Sequence, residues 1–172
     1  MIKSFFANFI PDFYLDDICA LDAEFLRSRA LKGLILDVDN TLAPRGSPRP
    51  SERVFAHIME LRANGIKVCL ISNNGSERVS VFNEHLALPV YPKAGKPSAK
   101  APLRAARDMG LPPESVAVAG DQIFTDVLAG KRAGMTAVLI KPIEPFENPF
   151  FCIKRLLELP FIHYRKKHGG IS

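Results

Sequence analysis

The sequence predicts an α/β fold, a doubly wound, Rossmann-like parallel sheet with flanking helices, and three observations predict it. A short unbroken apolar run at residues 34–36 reads as a strand buried on both faces, and the largely apolar stretches at 66–71, 116–119 and 135–140 read as further strands. The segments between them carry capping residues and apolar positions at helical spacing, and strands alternating with helices in so short a chain imply right-handed crossovers. Polar and acidic residues follow directly on those runs, at the carboxyl edge where open α/β sheets bind ligands.

In chain order, residues 1–30 form an N-terminal arm and helix, 31–141 the catalytic core and 142–172 a C-terminal extension. Ile2, Phe5, Phe6, Phe9, Ile10 and Phe13 recur at helical spacing, interrupted by Pro11. Two readings stay open there: an interfacial anchor whose phenylalanines enter an acyl boundary, with Lys3 as its one basic residue, or an arm folded over the domain's own core. Residues 22–30 read as a helix. Leu34, Ile35 and Leu36 supply the first strand, which delivers Asp37, Asp39 and Thr41. Residues 43–50, with three prolines and a glycine, read as an irregular flap carrying Arg45 and Arg49.

Ser51 caps a helix with Val54, Phe55, Ile58, Met59 and Leu61 on its apolar face and Asn64-Gly65 at its end. The strand at 66–71 ends at Ser72-Asn73-Asn74-Gly75, and Ser76 caps a helix with Val79, Phe82 and Leu86 inward. Val90-Tyr91 is a brief third strand that leads to Gly95-Lys96-Pro97. The helix after Ser98 turns Leu103, Ala106 and Met109 inward and closes at Gly110. Residues 116–119 deliver Gly120-Asp121, a helix from Thr125 to Ala133 ends at Gly134, and 135–140 is the fifth strand. In the extension, Pro142, Pro145, Pro149 and Pro160 leave room for one short amphipathic helix around Cys152, Ile153, Leu156 and Leu157, carrying Lys154 and Arg155, before a basic end at Tyr164-Arg165-Lys166-Lys167.

At 172 residues, 47% hydrophobic and 24% charged, the chain suits one soluble domain with a substantial core. A net charge of +5 and a pI of about 9.2 favour an anionic partner, whether phosphate ester, nucleic acid or lipid surface. Cys19, Cys69 and Cys152 are odd in number and far apart, which argues against a disulfide framework or thiolate zinc site and for a reducing compartment, the cytoplasm. No apolar run nears the roughly 20 residues that span a bilayer. Pro11, Asp12, Asp16 and Asp17 interrupt the start too early for a secretory signal.

Four loops leave one edge of the sheet with Asp37 and Asp39, Ser72 and Asn73, Lys96, and Asp121 and Asp126. Carboxylates that close repel unless a cation or proton lies between them, so the site asks for a divalent metal. Each group alone has a plain reading: the first loop as a capped turn, Ser72 as a turn cap, Lys96 as a solvated lysine. Together, in order and each after a strand, they form the set that phosphoryl transfer needs. Asp37 is placed as nucleophile and Asp39 as general acid and base. Ser72, the Asn73 amide and Lys96 would bind the transferring oxygens. Asp37, the Asp39 carbonyl and Asp121 would hold Mg²⁺. Asp126 reads either as a water-mediated partner of the metal or as the first turn of the next helix, and Thr41 supports the first loop.

DVDNT at 37–41, ISNN at 71–74, GKP at 95–97 and GDQIFTD at 120–126 resemble, in order, the four motifs of the haloacid dehalogenase (HAD) superfamily of phosphatases. PDFYLDDICALD, the GDQIFTD variant and IKPIEPFENP further resemble the YqeG-like subfamily of HAD class IIIA, which is similar to the mitochondrial phosphatidylglycerophosphate phosphatases. The resemblance implies a HAD-like fold and removal of the terminal phosphate from phosphatidylglycerophosphate, giving phosphatidylglycerol. Many members of the superfamily carry an inserted cap domain. The intervals 42–65 and 72–96 hold a helix each and no room for one, so a capless, open crevice is expected, suited to a phospholipid head group at a membrane surface. Arg45, Arg49, Lys93 and Lys100 could meet that head group, and no nucleic-acid partner is expected. The alternatives are a capless phosphatase for a protein, a nucleic-acid end or a soluble sugar phosphate, and a receiver-like phosphoacceptor module, which would want its aspartate where this chain has Ser72.

Overall fold

The computed structural model describes residues 6–145 and 149–168. It contains six strands, β1 (Phe13–Leu15), β2 (Gly33–Asp37), β3 (Lys67–Ile71), β4 (Val90–Tyr91), β5 (Val116–Gly120) and β6 (Thr136–Ile140). They form one sheet in the order β1-β6-β5-β2-β3-β4, every neighbouring pair parallel. The helices are α1 (Ala23–Arg27), α2 (Glu52–Ala63), α3 (Ser76–Asn83), α4 (Lys100–Asp108), α5 (Leu128–Arg132) and α6 (Pro149–His168). This is the doubly wound sheet the sequence predicts, with one strand more.

β2 lies at the centre and all five of its residues are buried. Successive strand side chains point to opposite faces. Leu34 and Leu36 accordingly join Ile58, Leu61 and Phe82 on one side, and Ile35 joins Cys69, Ala105, Ala106 and Val118 on the other. Ser51 caps α2 as expected, accepting from the Val54 N–H at 3.3 Å. Only one helix separates β2 from β3, and only one separates β3 from β4, so neither interval holds a cap.

Four expectations are corrected. The cap of α3 is Gly75, with Ser76 already in the first turn and no side-chain cap bond. α4 buries Pro102, Ala105, Ala106 and Met109, spaced i, i+3, i+4, i+7, and this fuller stripe leaves Leu103 exposed. The helix expected from Thr125 begins earlier, as a π-helical turn over Ile123–Val127 that runs into α5. The C-terminal helix is not short: α6 runs 20 residues with Pro160 inside it. A proline costs a helix one hydrogen bond, but Phe161 and Ile162 pack against Phe9, Tyr14, Ile123 and Leu139 and outweigh that loss.

β1 was hidden inside the helical pattern of the first thirteen residues. It pairs with β6, Phe13 opposite Val138 and Leu15 opposite Ile140. Just before it, the Asp12 carboxylate accepts from the Ala137 N–H at 2.8 Å and pairs with Lys131. The described part of the arm folds over the domain: Phe9 lies 5.7 Å from Phe124 and 5.4 Å from Phe161, and Phe13 lies 5.0 Å from Phe25. Ile2, Lys3 and Phe5 lie outside the described residues. Among the described residues no helix is long and apolar enough to cross a membrane.

Candidate active site

Strand register builds the site. Asp37, the last residue of β2, is opposite Ile71 of β3, which sets Ser72 one step beyond it. On the other side Leu36 is opposite Ala119 of β5, so Gly120 comes level with Asp37 and Asp121 follows. The 92–96 loop is drawn beneath Ser72 by Ser72 N–H to Tyr91 C=O at 3.1 Å and Ala94 N–H to Ser72 C=O at 2.9 Å. Asn73 clamps the backbone of Lys96 with both ends of its side chain: Nδ2 donates to the Lys96 carbonyl at 3.2 Å and Oδ1 accepts from its N–H at 2.8 Å. The Asn73 side chain is thus committed to holding the lysine, and its backbone N–H is the amide that could face the phosphate.

Lys96 is buried, and its Nζ lies 2.5 Å from Asp37 Oδ1 and 2.5 Å from Asp126 Oδ1. Thr41 donates to the other oxygen of Asp37 at 3.3 Å. Asp126 is buried rather than capping an exposed turn, and its Oδ2 accepts from the Gln122 N–H at 3.2 Å and Thr125 Oγ1 at 3.1 Å. Gly120 makes room for it, because a Cβ there would lie 2.3 Å from the Asp126 Cγ. The Asp39 carboxylate is held by Asn74, by Arg78 at 2.9 Å and by the Gly46 N–H at 3.4 Å. It borders the same cavity as Asp37 but is not one of the three carboxylates that converge.

Those three are Asp37, Asp121 and Asp126, with one oxygen of each within 4.8 Å of the others. Asp121 is fully buried. The Arg155 guanidinium of α6 bonds its Oδ2 and its backbone carbonyl, while Oδ1 has no hydrogen-bond partner. An orphaned buried carboxylate oxygen is costly unless a ligand completes it. Together with Asp37 and Asp126, the unpartnered Asp121 Oδ1 forms a cluster of hard oxygen donors that could hold a divalent cation.

Burial, reinforced by the Asp126 and Asp121 charges, pushes the Asp37 carboxyl up to about 8 although Lys96 opposes it. Burial and Asp126 push Asp121 up to about 6 against the pull of Arg155. Burial disfavours the Lys96 ammonium, but Asp126 and Asp37 outweigh it and hold its pKa above the ordinary value. With both carboxyl pKa values above the ~3.9 of an unfolded aspartate, the folded protein binds more protons than the unfolded one at intermediate pH. Stability of the metal-free protein should therefore fall as pH rises from about 5 to 8. Saturating divalent cation, which binds the deprotonated cluster, should flatten or reverse that slope. Thermal melts with EDTA and with added cation across this range measure both.

The cavity over Asp37 has a volume of about 180 Å³ and is bordered by Asp39, Ser72, Asn73 and Lys96, by Arg45 of the flap, and by Phe151 and Lys154 of α6. Arg45 lies over the Phe151 ring at 4.6 Å. The crevice is capless but less open than expected, since the C-terminal extension supplies one of its walls. Arg49 lines a separate groove beside the flap, and Lys93 and Lys100 line another. Sequence reasoning missed Arg78, Arg155 and Glu158. The last bonds Arg155 at 3.2 Å and accepts from the Ile123 N–H at 2.7 Å. A lone acid in an otherwise basic segment was the available signal for it.

A family described as HAD-hydrolase-like matches residues 93–142. The probable phosphatase YqeG of Bacillus subtilis is 37% identical over 172 residues, covering 100% of this chain and 98% of its own length. Phosphatidylglycerophosphate phosphatase 1, chloroplastic/mitochondrial, of Arabidopsis thaliana is 27% identical over 164 residues, 89% of this chain, and the alignment covers 47% of that protein. Among solved structures, the cobalt-bound deoxy-D-mannose-octulosonate 8-phosphate phosphatase of Haemophilus influenzae shares the fold, with a TM-score of 0.55 at 15% identity over 81% of this chain and 91% of its own. Similarity over the full chain, at 37% identity, to a probable phosphatase, carried on a sheet that brings the four motifs to one edge, shows that the chain belongs to the HAD family of phosphatases.

Proposed function

We propose that the chain is a Mg²⁺-dependent phosphatidylglycerophosphate phosphatase, a cytoplasmic protein that meets its substrate at a membrane surface. The observation that carries the phosphomonoester reading is the buried Lys96 ammonium, 2.5 Å from Asp37 at the floor of a narrow cavity rimmed by Arg45 and Lys154. The lipid reading is supported by the similarity to the Arabidopsis enzyme of that name. On this reading residues 31–141 are the catalytic core, 142–172 an extension whose helix α6 walls the cavity, and 1–30 an N-terminal arm and helix whose described part braces the sheet edge.

An Asp37 carboxylate oxygen attacks phosphorus, and the bond from phosphorus to the ester oxygen breaks as the aspartyl-phosphate forms. Asp39 gives its proton to the departing lipid oxygen, then takes one from the water that attacks the phosphoryl group, releasing inorganic phosphate and restoring Asp37. Lys96, the Ser72 hydroxyl and the Asn73 backbone N–H stabilise charge on the transferring oxygens. Thr41 orients Asp37, and Asn73 orients Lys96. Bound at Asp37, Asp121 and Asp126, Mg²⁺ would neutralise the clustered carboxylates and polarise the phosphate.

Phosphate release with Mg²⁺ from micellar phosphatidylglycerophosphate and from soluble sugar phosphates, phosphopeptides and phosphorylated nucleic-acid ends tests the substrate. The lipid should lead in kcat/KM by at least about tenfold. A soluble ester turned over as well or better would replace this reading with the soluble-substrate phosphatase.

A further inference from the structure

α6 is apolar on two opposite sides. The inner side packs on the sheet edge through Phe161 and Ile162. The outer side carries Ile153, Leu156, Leu157 and Pro160 at spacing i, i+3, i+4, i+7, and the first three are 60%, 66% and 57% exposed. Such a stripe on a soluble face marks a surface that is covered when the protein works. Beside it lies a groove of about 340 Å³ lined chiefly by apolar side chains, among them Pro142, Pro145, Leu156 and Leu159.

Charge selects the occupant. α6 carries Lys154, Arg155, Arg165, Lys166 and Lys167 against a single acid, Glu158, which is buried and paired with Arg155. A second copy would bring two helices of the same sign together, whereas an anionic bilayer offers hydrocarbon to the stripe and opposite charge to its flanks. The same helix also reaches the catalytic cavity, which its Phe151 and Lys154 line. We propose that the outer face of α6 is the surface on which this protein docks to an anionic bilayer, lying in the interface as an amphipathic helix does. This deepens the lipid-phosphatase reading and rests on it for its purpose.

The test is flotation of the full chain with vesicles of phosphatidylcholine alone and of phosphatidylcholine with phosphatidylglycerol. The wild type should bind the anionic vesicles. A double variant, Leu156→Gln with Leu157→Gln, should lose at least about tenfold in partitioning while keeping its melting temperature and its turnover of a soluble phosphate ester. Lys166→Gln with Lys167→Gln should weaken binding and flatten its dependence on salt. Absence of wild-type binding, or leucine variants that bind undiminished, would overturn the proposal. So would a wild-type dimer in sedimentation that the leucine variants dissociate, which would assign the face to a second copy. The substrate reading fails separately: vesicle binding lost in the variants, with no preference for lipid ester in the wild type, would keep the docking face and remove the lipid substrate.

Discussion

Asp37→Asn should abolish phosphate release, with kcat lower by at least about 10³-fold, because an amide offers no anionic oxygen to attack phosphorus and nothing nearby can take over. The same change should leave the fold intact. The Asp37 carboxyl is pushed up to about 8 by burial and by the Asp126 and Asp121 charges, so in the metal-free protein its ionised form is unfavourable and a neutral group of the same shape relieves that repulsion. Lys96 loses one partner but keeps Asp126 at 2.5 Å. Stopped assays at saturating substrate, run beside thermal melts of the same sample, separate the two effects. Activity within tenfold of the wild type would move the nucleophile elsewhere.

The parts of the chain that could be read from sequence are those whose burial is dictated locally. β2, β3, β5 and β6 declare themselves because both of their faces are covered and their residues are largely apolar. Asp37, Ser72 and Asp121 follow from the same runs, since each comes directly at a strand's carboxyl end and strand register alone brings them together. β1 could not be read that way. It is three residues long at the sheet edge, and its Phe13 fits the helical repeat that precedes it.

Asp126 was ambiguous for a different reason. Its direction depends on the π-helical turn at Ile123–Val127 and on the missing side chain of Gly120, two backbone details that apolar spacing does not encode. The prolines of the extension predict a shorter helix than α6. Its length and its role as a cavity wall come from packing on segments far away in sequence, Phe9 and Tyr14 on one side and the residues after β5 on the other. Local propensity carries no trace of that packing.

Arg155 is the site residue most thoroughly hidden by sequence distance, and replacing it should weaken cation binding by about 10- to 100-fold. Two effects oppose each other. A guanidinium close to a metal site repels the incoming cation, so its removal by Arg155→Gln could tighten binding. Against that, the same group ties down Asp121 Oδ2 and the Asp121 backbone carbonyl while braced by Glu158, and so fixes the unpartnered Oδ1 in the orientation the proposed metal site needs. Without it, a carboxyl already pushed up by burial and by Asp126 loses its main opposing charge and holds its proton more tightly, which disfavours the ionised form a cation needs. Loss of the holder acts on both the orientation and the charge of the ligand, whereas loss of the repulsion acts on long-range attraction alone, so weakening wins. Calorimetric titration of the metal-free protein with Mg²⁺ reads this directly and needs no turnover. Arg155→Lys should fall between the two, since an ammonium restores charge but cannot span the Asp121 carboxylate and its own backbone carbonyl as a planar fork does. Should Arg155→Gln bind Mg²⁺ as tightly as the wild type or more so, the guanidinium would be a competitor for Asp121, and α6 a brake on metal loading.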